Sequence, residues 1–197
     1  MKKALIVSSP TCEKDKTQSS LVYLATVLNN LGIQFDILDL SGEIDYFDPP
    51  EELFSSCESE YWLSSRIFHE APWLDDYLPE VSNGYDAVFY SALFSPDILI
   101  QGRHAMNQKK ASPNCVSVIG GAVVSCLNIK QTNVLSEIFD YVCCGYDVEY
   151  FISEIIKNNG SGNNSSNHNY LKTEGLAKFQ PNYSLLPTKP FFTVYSG

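Results

Sequence analysis

Two stretches of the sequence give the clearest indication of the fold: Tyr85-Asp-Ala-Val-Phe-Tyr-Ser-Ala-Leu-Phe-Ser-Pro96 and Cys115-Val-Ser-Val-Ile-Gly-Gly121. Each contains a short run of β-branched and aromatic residues that is typical of a buried strand. Each run then ends in small residues, Ser91-Ala92-Leu93 in the first and Gly120-Gly121 in the second. In an open parallel sheet, ligands bind beyond the carboxyl ends of the strands, and glycine lets them approach the backbone. The two stretches therefore predict a binding crevice at one edge of a parallel sheet.

The first forty residues predict that the sheet is parallel. Residues 4–8 form an apolar run, residues 18–32 carry leucines at helical spacing and end in Gly32, and residues 35–40 form a second apolar run. A strand, a helix and a strand of these lengths make a right-handed crossover between parallel strands. This unit is typical of an α/β fold.

Three more strands are predicted, at residues 86–90, 115–119 and 141–144. Helices are expected between them, one of which starts with Ser95 as N-cap and Pro96 as its first residue. A last helix over residues 148–157 carries an apolar stripe and follows Asp147 as its cap. The pattern predicts a Rossmann-like, flavodoxin-like domain with five parallel strands in the order 2-1-3-4-5 and helices on both faces.

The chain is predicted to divide into a folded domain, a linker and a tail. Residues 1–157 form the α/β domain, which a helical insertion over residues 42–84 interrupts after the second strand. We interpret the aromatic residues of the insertion as packing groups, with a lid or partner surface as the alternative. Residues 158–169 are rich in Asn, Ser and Gly and predict a flexible linker. Residues 170–197 contain an apolar, strand-like run that needs a pairing partner.

Composition excludes several classes of partner. A net charge of −10 at pH 7 argues against nucleic acid and anionic membrane surfaces. No apolar run approaches the length of a membrane span, and the short apolar start predicts a first strand rather than a signal peptide. The six cysteines lack metal-ligand spacing and are interpreted as reduced thiols. We expect a cytoplasmic protein.

Residue chemistry alone predicts no catalytic residue and no metal ligand. The three histidines are His69 in the insertion, His104 in a predicted helix and His168 in the linker, so none follows a strand. The sequence has no nucleophile elbow, no GxxxxGK[ST] phosphate loop and no GxGxxG motif. It favours a binding crevice over a self-sufficient active site.

The chain resembles the N-terminal cobalamin-binding domain of the cobalamin-dependent radical SAM enzymes. Ser91-Ala92-Leu93 is similar to the family's Ser-x-Leu after strand three, and Gly120-Gly121 to its Gly-Gly after strand four. Residues 94–119 lie between the two motifs and fit the family's spacing. Residues 21–32, 139–149 and 181–197 resemble its first helix, its fifth-strand region and the approach to its radical SAM barrel.

The resemblance implies a module that binds cobalamin, most often for methyl transfer. The nucleotide tail of the cofactor would lie along Ser91, Leu93, Gly120 and Gly121, and the corrin ring would lie over the ends of the strands. The full set of implied contact residues is Ser9, Pro10, Thr11, Ser91, Leu93, Phe94, Ser95, Gly120, Gly121 and Gly145. An iron–sulfur cluster and S-adenosylmethionine would bind only in a C-terminal radical SAM domain of the same polypeptide.

Two departures from the family pattern refine this expectation. The first loop, residues 9–17, has no histidine, whereas one subgroup carries Asp-x-His-x-x-Gly there. The resemblance then implies base-off cobalamin without a protein imidazole. The Cys-x-x-x-Cys-x-x-Cys motif of the radical SAM barrel is also absent, so we expect the chain to be a non-catalytic part of such an enzyme.

Two alternatives stay open. A flavodoxin-like FMN-binding oxidoreductase would use the same crevice, although the first loop is poor in the Ser, Thr and Gly donors that wrap a phosphate and carries Glu13 and Asp15. A degenerate domain without a cofactor would serve as a docking surface through its aromatic insertion.

Overall fold

The computed structural model describes residues 1–8, 16–40, 65–79, 83–145, 147–160, 169–172, 182–185 and 191–193. Its strands are β1 (Lys3–Ser8), β2 (Lys16–Gln18), β3 (Gln34–Asp39), β4 (Ala87–Ser91), β5 (Val116–Gly120), β6 (Tyr141–Cys144), β7 (Asn169–Lys172) and β8 (Phe191–Thr193). Six of them form one parallel sheet in the order β3-β1-β4-β5-β6-β7, and β2 and β8 pair separately, also in parallel. The fold is therefore α/β and Rossmann-like, as predicted.

Helices cover both faces of the sheet. They are α1 (Ser19–Asn30), α2 (Arg66–His69), α3 (Ser95–Ala111), α4 (Ala122–Ser125), α5 (Ile129–Ser136) and α6 (Val148–Gly160), with short 3-10 helices at Pro72–Asp76 and Tyr183–Leu185. One core lies between the sheet and α2 to α5, and a second lies between the sheet and α1 with α6. Leu5 and Val7 of β1 point into the first core, whereas Ala4 and Ile6 point into the second. Burial on both faces explains why this strand is a continuous apolar run.

The predicted strand order needs one correction. The sheet has six strands rather than five, because β7 pairs in parallel with the outer side of β6. Counted along the main sheet, the order is 2-1-3-4-5-6 instead of 2-1-3-4-5. The sequence signal for β7 is weak, since its four residues, Asn-Tyr-Leu-Lys, directly follow an Asn- and Ser-rich stretch. The helix α6 likewise extends to Gly160, three residues beyond the predicted end.

The start of α3 also differs from the prediction. Phe94, rather than Ser95, is the N-cap, and Pro96 is the second helical residue. The buried carboxylate of Asp97, the third helical residue, accepts hydrogen bonds of 2.8 Å from the backbone N–H groups of Leu93 and Phe94. An acid at this position reaches back to the N-cap backbone, as in the second half of a capping box.

The described part of the insertion is packed onto α3. The side chain of Phe68 lies against Gly102, where an added Cβ would stand 2.3 Å from the ring. Arg103 is only 7% exposed, and its guanidinium donates to Asp75 at 2.8 Å and to the carbonyl of Phe68 at 3.2 Å. Phe68 thus packs against the core, in line with our interpretation of the aromatic residues. Residues 42–64 and 80–82 of the predicted insertion lie outside the described residues.

The tail finds a pairing partner within the chain. Strand β8 pairs with β2 through Lys16↔Phe191, Thr17↔Phe192 and Gln18↔Thr193. Leu185 of the preceding 3-10 helix packs against the second core. Because β2 leads directly into α1, the tail is anchored beside the start of that helix.

Candidate functional site

The carboxyl ends of four neighbouring strands form one aligned row. In the sheet register, Ser8 of β1 lies between Asp39 of β3 and Ser91 of β4, and Ser91 lies beside Gly120 of β5. The hydroxyl of Ser8 donates to a carboxylate oxygen of Asp39 at 2.8 Å. The row contains a carboxylate, two buried hydroxyls and glycine backbone, and groups of these kinds can hydrogen-bond polar parts of a ligand.

The two short motifs of the sequence meet at this edge. The backbone N–H of Ala92 donates to the carbonyl of Gly120 at 2.9 Å, one step beyond the pairing of Ser91 with Gly120. Gly121 has φ of 113°, a region that favours glycine. An added Cβ there would lie 2.2 Å from the carbonyl oxygen of Ala92. The close contact between these two backbone segments therefore requires glycine at position 121. Backbone atoms of Ala92 lie where a Cβ would stand, so no ligand can use that space.

Gly120 differs from its neighbour. Its nearest atoms to an added Cβ would be the carbonyl oxygen of Cys143 at 3.4 Å and the Cβ of Cys143 at 3.5 Å. These are ordinary van der Waals distances, so a side-chain carbon would fit at Gly120, and packing alone does not require a glycine there.

Ser91 is enclosed. It is 2% exposed, its hydroxyl donates to the hydroxyl of Ser20 at 2.8 Å, and its carbonyl accepts from the side-chain amide of Gln101 at 2.9 Å. Ser20 belongs to the first turn of α1. The N-terminal turn of this helix therefore covers the residue that the sequence places at the centre of the crevice.

Other predicted contact residues line the rim. Phe94 is 41% exposed and Ser95 is also exposed, while Leu93 is half-buried. Gly145 follows β6 with φ of 126°, and its N–H donates to Ser125 Oγ at 3.0 Å. The same hydroxyl donates to the carbonyl of Gly121 at 3.1 Å, which links the ends of β5 and β6.

Seven of the ten predicted contact residues lie at this edge: Ser91, Leu93, Phe94, Ser95, Gly120, Gly121 and Gly145. Ser9, Pro10 and Thr11 lie outside the described residues. The predicted set does not include Ser8, Asp39 and Ser20. Asp39 could have been identified from the sequence, since it is a charged residue near the end of a predicted strand. Ser20 could not, because its role depends on how α1 packs over β4.

His104 is a buried residue of α3. Its Nδ1 lies 2.8 Å from the hydroxyl of Tyr90, and no described residue hydrogen-bonds to its Nε2. Burial lowers the pKa of His104 to about 4 and raises the pKa of Tyr90 well above its usual value. His104 is therefore a neutral core group. In the part of the chain that the structure describes, no set of His, Cys, Asp or Glu side chains forms a metal site.

An open groove of about 550 Å³ lies at the opposite edge of the sheet, between the end of α1 and the start of β3. The ion pair of Lys3 and Asp36 lies along it at 2.8 Å. Lys3 pairs with Gln34 in the first register position of their strands. The groove is thus at the amino end of the strands, and it contributes nothing to the predicted crevice.

Comparisons with known proteins give no relative: no protein-family model, no curated protein and no solved structure matches the chain. Among the helices that the structure describes, none is long and apolar enough to cross a membrane. The fold and the carboxyl-edge row are thus the structural basis for a functional proposal.

Proposed function

We propose that this chain is a cobalamin-binding module that holds its cofactor base-off at the carboxyl edge of the sheet and serves a radical SAM enzyme, in methyl transfer. The observation that supports the proposal best is the junction of Ser91-Ala92-Leu93 with Gly120-Gly121. These motifs are separated in sequence, yet they are joined by strand register and by the hydrogen bond from Ala92 to Gly120.

The residues at the edge suit the cofactor in different ways. Gly120 leaves backbone and space free for the nucleotide tail, and the hydroxyl of Ser91 can hydrogen-bond to it. Phe94 offers an exposed apolar face for the corrin ring. Gly121 has an indirect role, because its contact with Ala92 holds the two strand ends together. Use of Ser91 requires the first turn of α1 to withdraw from it.

Cobalamin supplies a cobalt centre that carries a methyl group, and the chain's own residues bind and orient it. None of the residues described at the edge is a histidine: His69 is exposed on α2, and His104 is a buried residue of α3. An arrangement without a protein imidazole on cobalt fits this distribution. A C-terminal radical SAM domain of the same polypeptide would hold the iron–sulfur cluster, S-adenosylmethionine and the substrate.

Burial of Ser91 favours a second candidate, a cofactor-free docking domain. If the chain is such a domain, the hydrogen bond between Ser91 and Ser20 does not open, and Gly120-Gly121 only allows the backbone to turn after β5. Only the first candidate predicts that a corrin competes with Ser20 for access to Ser91.

A matched pair of serine variants separates the candidates. Ser91→Ala removes the hydroxyl at the edge, whereas Ser136→Ala removes another buried serine hydroxyl, which bonds within α5 to Thr132. In titrations with hydroxocobalamin followed by visible absorbance, we expect Ser91→Ala to raise the dissociation constant by about two- to tenfold, because one hydrogen bond to the cofactor is lost. Ser136→Ala should leave it unchanged. Folded protein whose corrin spectrum stays that of the free cofactor would support the docking domain.

A further inference from the structure

The start of α1 closes the candidate site. The hydroxyl of Ser20 meets that of Ser91 at 2.8 Å, and both Ser8 and Ser91 are almost fully buried. A ligand therefore reaches Ser91 only after Ser20 has moved. Since Ser20 lies in the first helical turn, which is the part of a helix that frays most readily, opening can be local.

The C-terminal segment is fastened to the same helix at two levels. The N–H of Asn182 donates to Thr26 Oγ1 at 2.8 Å, in the middle of α1. The Thr26 hydroxyl is itself buried and donates to the carbonyl of Val22 at 2.7 Å, so its position is fixed. At the second level, β8 pairs with β2, whose last residue, Gln18, immediately precedes the helix.

The 3-10 turn between these two levels is internally braced. The side-chain oxygen of Asn182 accepts from both the N–H and the hydroxyl of Ser184, at 3.1 Å and 2.7 Å. Leu185 packs against the second core. The turn at 182–185 thus lies against α1 at Thr26, and β8 pairs with the strand that leads into the covering turn.

We propose that two segments of the tail, the turn at residues 182–185 and β8, together form a latch that holds the start of α1 over Ser91, so that the docked tail keeps the binding edge closed. The inference rests on the proposed function, because the ligand it excludes is the cobalamin of that proposal. Release of the latch frees β2 and the first turn of α1, and Ser91 becomes accessible.

The latch couples two equilibria. If the open form binds the cofactor and the closed form does not, the apparent dissociation constant rises by the inverse of the open fraction. Linkage then requires that bound cofactor loosens the latch as much as the latch weakens cofactor binding. Both directions are measurable on the full chain.

Two buried threonines provide the test and its control. Thr26→Val keeps the shape of the side chain but removes the acceptor for Asn182, and Thr26→Ser restores it. Thr132 of α5 is the matched control, since it is also buried and also donates to a carbonyl four residues earlier, that of Asn128. Its hydroxyl holds no part of the latch. Phe192→Pro, which disturbs the pairing with β2, is an independent second way of release.

The first readout is hydrogen exchange without ligand. We expect Thr26→Val and Phe192→Pro to accelerate exchange at residues 16–22 about two- to tenfold, the range that loss of a single hydrogen bond gives. Exchange in β4 and β5 should not change, and neither Thr26→Ser nor Thr132→Val should have the effect at residues 16–22. Unchanged exchange there in both release variants would overturn the latch.

The second readout is hydroxocobalamin titration of the same variants. We expect both release variants to bind more tightly than the wild-type chain by a similar factor, and cofactor to accelerate exchange at residues 191–193 of the wild type. Equal affinities of wild-type and released chains would overturn the coupling. If neither chain changes the corrin spectrum, the proposed function fails, and the ligand-free exchange still decides whether the tail holds the start of α1.

Discussion

Gly121 stands so close to Ala92 that a Cβ at Gly121 would lie 2.2 Å from the Ala92 carbonyl oxygen. The two glycines at the end of β5 therefore have different roles. Gly121 serves the contact between strand ends and adopts a φ that other residues rarely take, whereas the environment of Gly120 tolerates a side-chain carbon.

The first prediction uses this contrast. Gly121→Ala should lower the free energy of unfolding by about 2–4 kcal/mol, because it combines a positive φ with a clash against backbone that cannot move aside easily. Gly120→Ala should change it by less than about 1 kcal/mol. Urea denaturation of both variants measures the difference. Equal stabilities would mean that the two strand ends are not in this contact.

The second prediction concerns acid stability. Burial holds the pKa of His104 at about 4, below its ordinary value of 6.5. The unfolded chain takes up this proton first as pH falls, so stability is lost between about pH 6.5 and pH 4, by about 3 kcal/mol in total. His104→Gln should flatten this part of the stability curve. His69→Gln, at an exposed site on α2, is the control and should leave the curve as it is.

A third prediction addresses the described part of the insertion. Asp75→Asn leaves the buried guanidinium of Arg103 without its carboxylate, and we expect a loss of about 1–2 kcal/mol, moderated because Asp75 is partly exposed. Asp76→Asn, one residue further along the chain, is the matched control. Hydrogen exchange at residues 66–76 should increase only in the first variant. Similar exchange in both variants would show that the ion pair does not hold this segment to α3.

The same ion pair gives a pH dependence. The Arg103 guanidinium lowers the pKa of Asp75 below its usual range. A carboxylate with a lowered pKa stabilises the fold above its unfolded pKa, and that contribution is lost as pH falls through the lower folded value. Asp75→Asn should therefore remove an acid-dependent part of the stability that lies at lower pH than that of His104.

Much of the fold can be predicted from local patterns. The apolar runs of β1, β4, β5 and β6 are flanked by turn residues, and the parallel crossover follows from the lengths of the first elements. β7 is not predictable in the same way, because its four residues gain their stability from pairing with β6 rather than from their own composition. The pairing of β8 with β2 joins segments far apart in sequence and is equally invisible to local patterns.

The candidate site is predictable only in part. Strand ends place Ser91 and Gly120 side by side, since the ends of parallel strands share one edge. The cover of Ser20 over Ser91 depends on how α1 packs across the sheet, which periodicity does not specify. The sequence predicts that the missing Cβ of Gly121 leaves room for a ligand. In the structure, backbone atoms of Ala92 lie in that space instead.

The cobalamin site is tested most directly by the visible spectrum of the full chain titrated with hydroxocobalamin, alongside Thr26→Val as the released form. We expect a saturable change to a base-off spectrum at one corrin per chain, at lower cofactor concentration for Thr26→Val. A free-cofactor spectrum at every concentration with both folded proteins would contradict the assignment of a cobalamin site. A flavin spectrum in the purified chain would point instead to FMN.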